Sequence, residues 1–134
     1  MKLETLDDIK ALITTDTESD SIEFKETTGQ LERGMETLCA FLNRSGGTVL
    51  FGVNDKKKII GQEVSDTTKR TIAEAIGRLE PIPAVQISYP SLADSNKKII
   101  ALHIEDSKME RPFTYKGRAY IRLESTTTIM SQQA

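Results

Sequence analysis

The stretch LERGMETLCAFLNRSGGTVLFGV, residues 31–53, contains the strongest structural signals in the chain. Its first half places four large apolar side chains on one stripe at helical spacing: Leu31, Met35, Leu38 and Leu42. Gly46-Gly47 ends this run where a left-handed helix cap is needed. The following TVLFGV is a nearly continuous apolar run of strand length, which predicts a strand buried on both faces. The fold is therefore expected to be built around this helix and strand.

Two weaker patterns precede the central helix. Apolar residues recur at helical spacing from Leu6 to Ile13, behind Thr5 and an acidic first turn, which predicts a first helix. SIEFK, residues 21–25, alternates polar and apolar side chains around two good strand formers. It predicts a short strand between the two helices.

Further elements follow the central strand. NDKKK predicts a turn that leads into a second hairpin strand, IIG. Apolar positions from Thr67 to Leu79 predict a third helix, which Pro81 ends. AVQISY and KIIALHI predict two strands, and FTYKGRAYIRL predicts a hairpin about Lys116-Gly117. This order predicts an α+β domain with one mixed, largely antiparallel sheet and about three helices packed on it.

The composition is that of a single globular domain spanning residues 1–134. Apolar residues make up 37% and charged residues 28% of the chain, and no apolar run approaches the roughly 18 residues that cross a bilayer. Cys39 is the single cysteine, so a soluble protein of the reducing cytoplasm, without a membrane partner, is expected. The net charge of −2 neither favours nor excludes a polyanionic partner, because nucleic-acid binders need a basic face rather than a basic average.

SIEFK places a carboxylate and an ammonium group side by side. In a strand, Glu23 and Lys25 lie on one face while Phe24 enters the core. Such a pair is typical of nuclease sites that hold Mg²⁺ or Mn²⁺ and orient a water, with the lysine offsetting charge that develops on phosphate. A salt-bridge pair on the strand surface explains the same pattern. Both interpretations stay open at this point.

Two further carboxylates are candidate metal ligands. Asp55 follows the buried central strand, where aspartate is also a common turn residue. If SIEFK lies near the end of that strand, Glu18, Glu23 and Asp55 can converge as an all-oxygen cluster, which needs a cation because like charges raise one another's pKa. The candidate catalytic set of a nuclease is therefore Glu18, Glu23, Lys25 and Asp55, with Mg²⁺ or Mn²⁺ as its cofactor.

The turn NRSGG, residues 43–47, is a candidate phosphate contact. It lacks the Gly-Lys-Ser/Thr of a nucleoside triphosphatase loop and precedes a strand rather than a helix, so ATP hydrolysis is not predicted. A helix cap followed by a tight turn explains its glycines, although polar groups at a helix end can still meet an anion. The candidate contacts are Asn43, Arg44, Gly46 and Gly47.

Basic and aromatic residues are interleaved near the end of the chain. Five cations follow one another closely: Lys108, Arg111, Lys116, Arg118 and Arg122. Phe113, Tyr115 and Tyr120 lie between them. Such cations neutralise phosphates, and aromatic faces can stack on unpaired bases. A solvated hairpin with half-buried rings is the alternative interpretation.

Three motifs occur in order along the chain: ESDSIEFK, FLNRSGGTVLFGVNDKKKIIG and HIEDSKMERPFTYKGRAYIRLEST. Together they resemble the Alba-like domain of the Schlafen family, which in bacteria stands at the start of transcriptional regulators once labelled divergent ATPases. The resemblance covers about Ile13 to Thr128 and implies an α+β fold that binds nucleic acid. In Schlafen ribonucleases two glutamates five positions apart and a later aspartate form the metal site, and Glu18, Glu23 and Asp55 match that pattern.

The chain departs from the family in two ways. Schlafen ribonucleases enclose structured RNA with two such domains, whereas this chain has one. Bacterial relatives continue into a longer C-terminal part, often with a winged helix, so we interpret the chain as the N-terminal part of a longer regulator. The first prediction is a nucleic-acid-binding domain of a transcriptional regulator, homodimeric and cytoplasmic, with DNA or RNA as its partner. The alternatives are a metal-dependent endoribonuclease and a dimerisation module without an anionic ligand.

Overall fold

The computed structural model of the chain describes residues 1–15, 21–107 and 110–130. Three α-helices lie within these ranges: α1 (Leu6–Thr15), α2 (Leu31–Leu42) and α3 (Asp66–Ile76), with a 3₁₀ turn at Thr28–Gln30 before α2. The strands are β1 (Ile22–Lys25), β2 (Gly47–Phe51), β3 (Leu79–Glu80), β4 (Gln86–Ser88), β5 (Ile100–Ile104), β6 (Thr114–Tyr115), β7 (Tyr120–Leu123) and β8 (Thr126–Ile129). None of the helices in the described ranges is long and apolar enough to cross a membrane.

A four-stranded sheet in the order β1-β2-β5-β4 forms the centre of the molecule. β1 runs parallel to β2, and Glu23 lies beside Val49 in this pairing. β5 is antiparallel to both β2 and β4. Two small antiparallel ribbons, β3-β6 and β7-β8, lie outside this sheet. The prediction of an α+β domain with three helices and a mixed, largely antiparallel sheet is confirmed.

Apolar side chains cover both faces of the central sheet. On one face, Ile9 of α1 packs with Ile22 and Leu50. On the other face, α2 and α3 pack against Val49 and Phe51, together with β6 and β7. Successive side chains of a strand point to opposite faces, so β2 can serve both layers. β2 is buried along its whole length, as its apolar run predicted.

Backbone hydrogen bonds hold the chain at the start of α1 and after α2. At the start of α1, the Asp8 N–H donates to Thr5 Oγ1 at 3.2 Å and the Thr5 N–H donates to Asp8 Oδ2 at 3.1 Å. The hydrogen bond from the Thr5 backbone, above all, holds the pKa of the Asp8 carboxyl below its usual value. After α2, Gly46 has a φ of 91° and its N–H donates to Phe41 O at 2.9 Å. α2 itself ends at Leu42 with Asn43 as its C-cap, so the left-handed glycine lies in the turn after the helix and not in the cap that the glycine pair predicted.

Two predictions about the middle of the chain are wrong. The segment IIG forms only an isolated bridge, Val53 with Ile59, and β5 pairs with β2 instead. After this bridge Gly52 O accepts the N–H groups of two consecutive residues, and Gln62 then forms a second isolated bridge with Lys98, so no continuous strand ladder develops. Leu79 belongs to β3 and not to the third helix, since α3 ends at Ile76.

The predicted hairpin about Lys116-Gly117 forms only at its turn. Tyr115 and Arg118 exchange two backbone hydrogen bonds, of 2.8 and 3.1 Å, across two residues that both have positive φ. Beyond the turn the arms separate, because β6 pairs with β3 while β7 pairs with β8. The sequence patterns did not predict β8, whose Thr-Thr-Thr-Ile sequence has no apolar alternation.

Gly47 lies where a larger residue would not fit. A Cβ atom at Gly47 would lie 2.7 Å from ring atoms of Phe41 and 2.7 Å from the carbonyl oxygen of Ser21. We expect Gly47→Ala to lower the free energy of unfolding in urea by about 1–3 kcal/mol, because the buried Phe41 ring must shift. The control, Gly77→Ala, brings a Cβ no closer than 3.4 Å to another atom, and should change stability by under about 1 kcal/mol. Unchanged stability of Gly47→Ala would contradict this packing.

Candidate functional site

Arg122 on β7 is a buried cation. Its side chain is 1% exposed, and Nη1 donates to Glu23 Oε2 at 3.1 Å and to Thr127 Oγ1 at 3.0 Å. Its guanidinium carbon lies 5.2 Å from the centre of the Phe41 ring, within the range of a cation–π contact. Nε is also buried and has no hydrogen-bond partner in the described part of the chain. The Arg122–Glu23 pair thus joins the outer ribbon β7-β8 to the central sheet.

The Glu23 carboxylate has two cations close to the same oxygen. Besides Arg122, Lys25 Nζ lies 4.0 Å from Glu23 Oε2. Glu23 and Lys25 point to the α2 side of the sheet, whereas Ile22 and Phe24 pack on the α1 side. This is the alternation that the sequence predicted for β1. The negative charge of Glu23 is therefore compensated by cations of the chain itself.

Two adjoining clefts follow the exposed side of α2. The first, of about 250 Å³, lies between β1, α2 and the β7-β8 turn. The second, of about 370 Å³, shares Glu36 with the first and lies between α2 and the β6-β7 turn. We refer to the two clefts together as the α2 groove. Its described lining is Glu23, Lys25, Glu32, Arg33, Glu36, Thr37, Tyr115, Lys116, Arg118, Tyr120, Ser125, Thr126 and Thr127.

Opposite charges lie close together in the second cleft. Lys116 Nζ and Tyr115 Oη both donate hydrogen bonds to the Glu32 carboxylate. Burial opposes ionisation of Glu32, but these two hydrogen bonds and the positive charges of Lys116 and Arg78 together hold the pKa of the carboxyl below its usual value. Burial, and then the bond to Glu32, raises the pKa of Tyr115, while burial and the nearby Glu36 raise the pKa of Tyr120. Both phenols are therefore neutral donors at physiological pH.

The structure separates the predicted basic residues. Lys116 and Arg118 line the α2 groove, and Arg118 is exposed. Arg111 instead donates to Leu42 O at 3.2 Å and to an Asp106 carboxylate oxygen at 2.7 Å. Arg122 is the buried partner of Glu23 rather than a surface cation, and Lys108 lies outside the described residues. The aromatic rings between them, Phe113, Tyr115 and Tyr120, are buried in the core and do not present open faces for stacking on bases.

Asn43 and Arg44 connect the end of α2 to the outer strands through hydrogen bonds. Asn43 Nδ2 donates to Phe113 O and Tyr120 O, both at 2.9 Å, and Asn43 Oδ1 accepts the Phe113 N–H at 2.7 Å. Arg44 Nη1 donates to Arg122 O at 3.0 Å. These contacts give both residues a structural role that the sequence patterns did not indicate. Whether they also touch a phosphate stays a prediction.

Gly46 and Gly47 line a separate depression beside His103. His103 Nδ1 lies 2.7 Å from Thr48 Oγ1, and Nε2 lies 2.8 Å from a Glu105 carboxylate oxygen. His103 as a residue is only 6% exposed, and both ring nitrogens have hydrogen-bond partners, so it is a packed histidine. The glycine turn and the α2 groove are therefore distinct surfaces.

Cys39 is a core residue. Its side chain is fully buried, and Sγ donates to Phe113 O at 3.4 Å. Burial raises the pKa of the thiol to about 11. A thiol with this pKa carries almost no thiolate at neutral pH, which agrees with packing rather than nucleophilic chemistry.

The described acids do not by themselves form a metal site. Within residues 1–15, 21–107 and 110–130, no group of three or more His, Cys, Asp or Glu side chains could hold an ion. Asp55 is exposed in the turn after β2, which Asn54 Oδ1 closes by accepting two backbone N–H groups. Glu18 lies outside the described residues, so the Glu18, Glu23 and Asp55 set for Mg²⁺ or Mn²⁺ stays a prediction. The neighbours of Glu23 that are described, Arg122 and Lys25, fit an anion better than a divalent cation.

Sequence reasoning missed the contribution of α2 to the groove. Arg33, Glu36 and Thr37 line it, at positions i, i+3 and i+4 of one helix. This spacing puts them on the side of α2 that faces away from its apolar stripe. The same periodicity that identified the buried face could therefore have identified Arg33 as a groove cation.

Comparison with known protein families identifies the family of this chain. A family model described as Schlafen, AlbA_2 matches residues 18–131, which is most of the sequence. The chain belongs to this family. No curated protein matches the sequence.

Two of the solved structures that resemble this chain illustrate the shared fold. One is the N-terminal domain of a protein from Nitrosomonas europaea described as related to the ATP-dependent DNA helicase RecG. It matches with a TM-score of 0.64 and 21% identity over 98% of this chain and 95% of that one. The DIP2311 protein from Corynebacterium diphtheriae has a TM-score of 0.57 and 17% identity, over 83% of this chain but only 22% of that one. At these identities the likeness shows the fold alone.

The buried ion pair gives a stability prediction. We expect Arg122→Met to lower the free energy of unfolding by about 2–4 kcal/mol, because it leaves the Glu23 carboxylate without its hydrogen-bonded partner. Adding Glu23→Gln should recover part of that loss, since the uncompensated charge is then gone. Denaturant unfolding measures each variant, with the exposed Arg118→Met as a control that changes stability by under about 0.5 kcal/mol. Equal stabilities of the two single arginine variants would show that the pair contributes nothing.

Proposed function

We propose that this domain binds nucleic acid through the α2 groove and that it contacts the phosphate backbone rather than the bases. The observation that carries the proposal is the row of cations along a single groove: Lys25, Arg33, Lys116 and Arg118. Each cation that neutralises a phosphate releases condensed counterions, and this release drives most sequence-independent binding.

The carboxylates of the groove are largely compensated within the protein. Arg122 and Lys25 lie against Glu23, and Lys116 lies against Glu32. Glu36 is the third carboxylate of the described lining. An incoming polyanion would therefore meet a groove that is weakly basic overall, with Arg33 and Arg118 as its exposed guanidinium groups. Modest affinity and strong salt sensitivity are expected.

Contacts to bases have less support. The three aromatic rings of the basic segment are buried, so stacking is not available to them in this conformation. The groove instead offers the exposed hydroxyl groups of Ser125 and Thr126, which can hydrogen-bond to phosphate oxygens. Binding that tolerates many sequences follows from such a lining.

The family supports the same role at a coarser level. The sequence resemblance to the Schlafen Alba-like domain implies nucleic-acid binding, and the similar Nitrosomonas europaea domain comes from a protein described as related to a DNA helicase. The choice between DNA and RNA, a place in a transcriptional regulator and a cytoplasmic location are proposals that rest on the sequence alone.

Removing the exposed groove arginines should weaken binding. For the double variant Arg33→Gln, Arg118→Gln we expect about tenfold lower affinity. The slope of the logarithm of the binding constant against the logarithm of the salt concentration should become shallower by about 0.7–0.9 for each phosphate contact that is lost. Fluorescence anisotropy with labelled single- and double-stranded RNA and DNA at several salt concentrations measures both. Lys10→Gln, on α1 at the opposite face of the sheet, is the matched control and should bind as the wild type does. A similar loss in the control, or no loss in the double variant, would place the binding surface elsewhere.

Glu36→Gln should have the opposite effect. It removes the carboxylate shared by both clefts, so repulsion of phosphate decreases and affinity should rise about two- to fivefold at low salt. The same anisotropy titration measures the change, with Glu74→Gln on α3 as a control. Unchanged or weaker binding by Glu36→Gln, with an unchanged melting temperature, would argue against phosphate in the groove.

A metal-dependent endoribonuclease is the second candidate function, because Glu23 and Lys25 lie side by side in the first cleft. Incubating the protein with single-stranded and hairpin RNA in Mg²⁺ or Mn²⁺ tests it. Scission that a chelator and Glu23→Gln both abolish would support the ribonuclease. Binding without scission would support the binding module, and the absence of both would leave the dimerisation module.

A further inference from the structure

We propose that the outer edge of β8 pairs with the same edge of a second copy of this chain. β8 is one strand of the two-stranded ribbon β7-β8, and no strand in the described part of the chain pairs with its other side. Such an edge presents unpaired N–H and C=O groups that can bind another strand. The pairing would join two ribbons into one four-stranded antiparallel sheet.

The register of the ribbon identifies the groups that face outward. A two-residue loop joins β7 to β8, with Leu123 opposite Thr126. In such a hairpin the pair next to the loop exchanges both backbone hydrogen bonds, and alternate pairs along the ladder do the same. The N–H and C=O groups of Thr127 and Ile129 therefore point away from β7. They are the groups available to a new strand.

The edge of β8 lacks the protection that the edges of the central sheet have. β1 carries the charged Glu23 and Lys25, and β4 has only three residues and is soon followed by Pro90. Charge, shortness and proline are the usual means by which proteins prevent edge pairing. The last ten residues of the sequence, STTTIMSQQA, include β8 and contain no ionisable side chain. Threonine and isoleucine are also strong strand formers.

A second copy is the occupant that this edge fits best, because the edge is complementary to itself. In an antiparallel pairing about a two-fold axis at Thr128, Thr127 of each copy lies opposite Ile129 of the other. Each of these two positions allows an exchange of two backbone hydrogen bonds. Ile129, which is 51% exposed, would then be partly covered by the β8 strand of the other copy. No like charges would lie opposite each other in this pairing.

The pairing also has a consequence for the α2 groove. Thr126 and Thr127 line the groove, and Thr127 Oγ1 hydrogen-bonds to Thr37 of α2 at 2.8 Å. A shared sheet through β8 would place two grooves next to each other across the two-fold axis. If the proposed function is correct, one nucleic acid could then meet twice as many cations as a single domain offers.

Charge placed at the two-fold axis tests the pairing. Wild-type protein at micromolar concentration should sediment with twice the monomer mass of 14.9 kDa. Thr128→Lys puts two ammonium groups directly opposite each other and should give the monomer mass, and Thr128→Glu should do the same with two carboxylates. Mixing these two variants should restore the dimer, because lysine then faces glutamate. Thr71→Lys, at an exposed site on α3, should remain dimeric.

Three results would overturn the proposal: a monomeric wild type, a dimer that survives both Thr128 variants, or a mixture of the two variants that stays monomeric. The mixture separates a broken interface from a failure to fold, since misfolded chains would not form a dimer of defined mass. Sedimentation is measured without nucleic acid. The result is therefore independent of whether the α2 groove binds it.

Discussion

The position of the outer ribbon depends on a buried guanidinium. Arg122 belongs to a ribbon that is not hydrogen-bonded into the central sheet, and its side chain reaches the edge strand of that sheet at Glu23. The Phe41 ring below it and the Thr127 hydroxyl beside it complete the surroundings of the charge. An unpaired charge at this depth is strongly unfavourable, so the ribbon and β1 hold each other in place. The first cleft of the α2 groove lies beside this contact, with Glu23 on one side and Thr127 on the other.

The same interaction determines the chemistry that the groove favours. A carboxylate that already has a guanidinium and an ammonium group close to one oxygen has less to gain from a metal ion than a cluster of uncompensated acids. When the compensated charge of Glu23 is left out of the sum, the other side chains that line the α2 groove carry a small net positive charge. This balance supports the proposal of a phosphate ligand, with the exposed hydroxyl groups of Ser125 and Thr126 at the side of the first cleft. This is why backbone binding is the first proposal and metal-dependent cleavage the second.

Local patterns predicted the parts of the fold that depend on near neighbours. The stripe on α2, the complete burial of β2 and the opposite facing of Glu23 and Phe24 all follow from the helical or strand period. Pairings between distant segments were not predictable in this way. The arms around Lys116-Gly117 alternate as a hairpin does, yet each finds a different partner strand. Tertiary packing decides such cases over local preference.

In the candidate site, too, local patterns were predictable and contacts between distant segments were not. Alternation along β7 puts Tyr120 and Arg122 on one face, which is a local signal that Arg122 points inward. What makes an inward arginine acceptable is a carboxylate 99 residues earlier in the chain, and spacing alone does not reveal that partner. The helical period could have placed Arg33 on the exposed face of α2. Its position in a cleft is visible only in the folded chain, where β8 forms the other side of that cleft.

The most direct test of the α2 groove as the nucleic-acid interface is a nuclear magnetic resonance titration of the isotope-labelled protein with a single-stranded oligonucleotide. The account predicts that the backbone amides of Lys25, Arg33 and Arg118 shift together as the oligonucleotide saturates the protein, while amides of α1 such as Lys10 stay in place. Shifts concentrated on α1 or around Gly46 and His103, or no shifts at low salt, would contradict it.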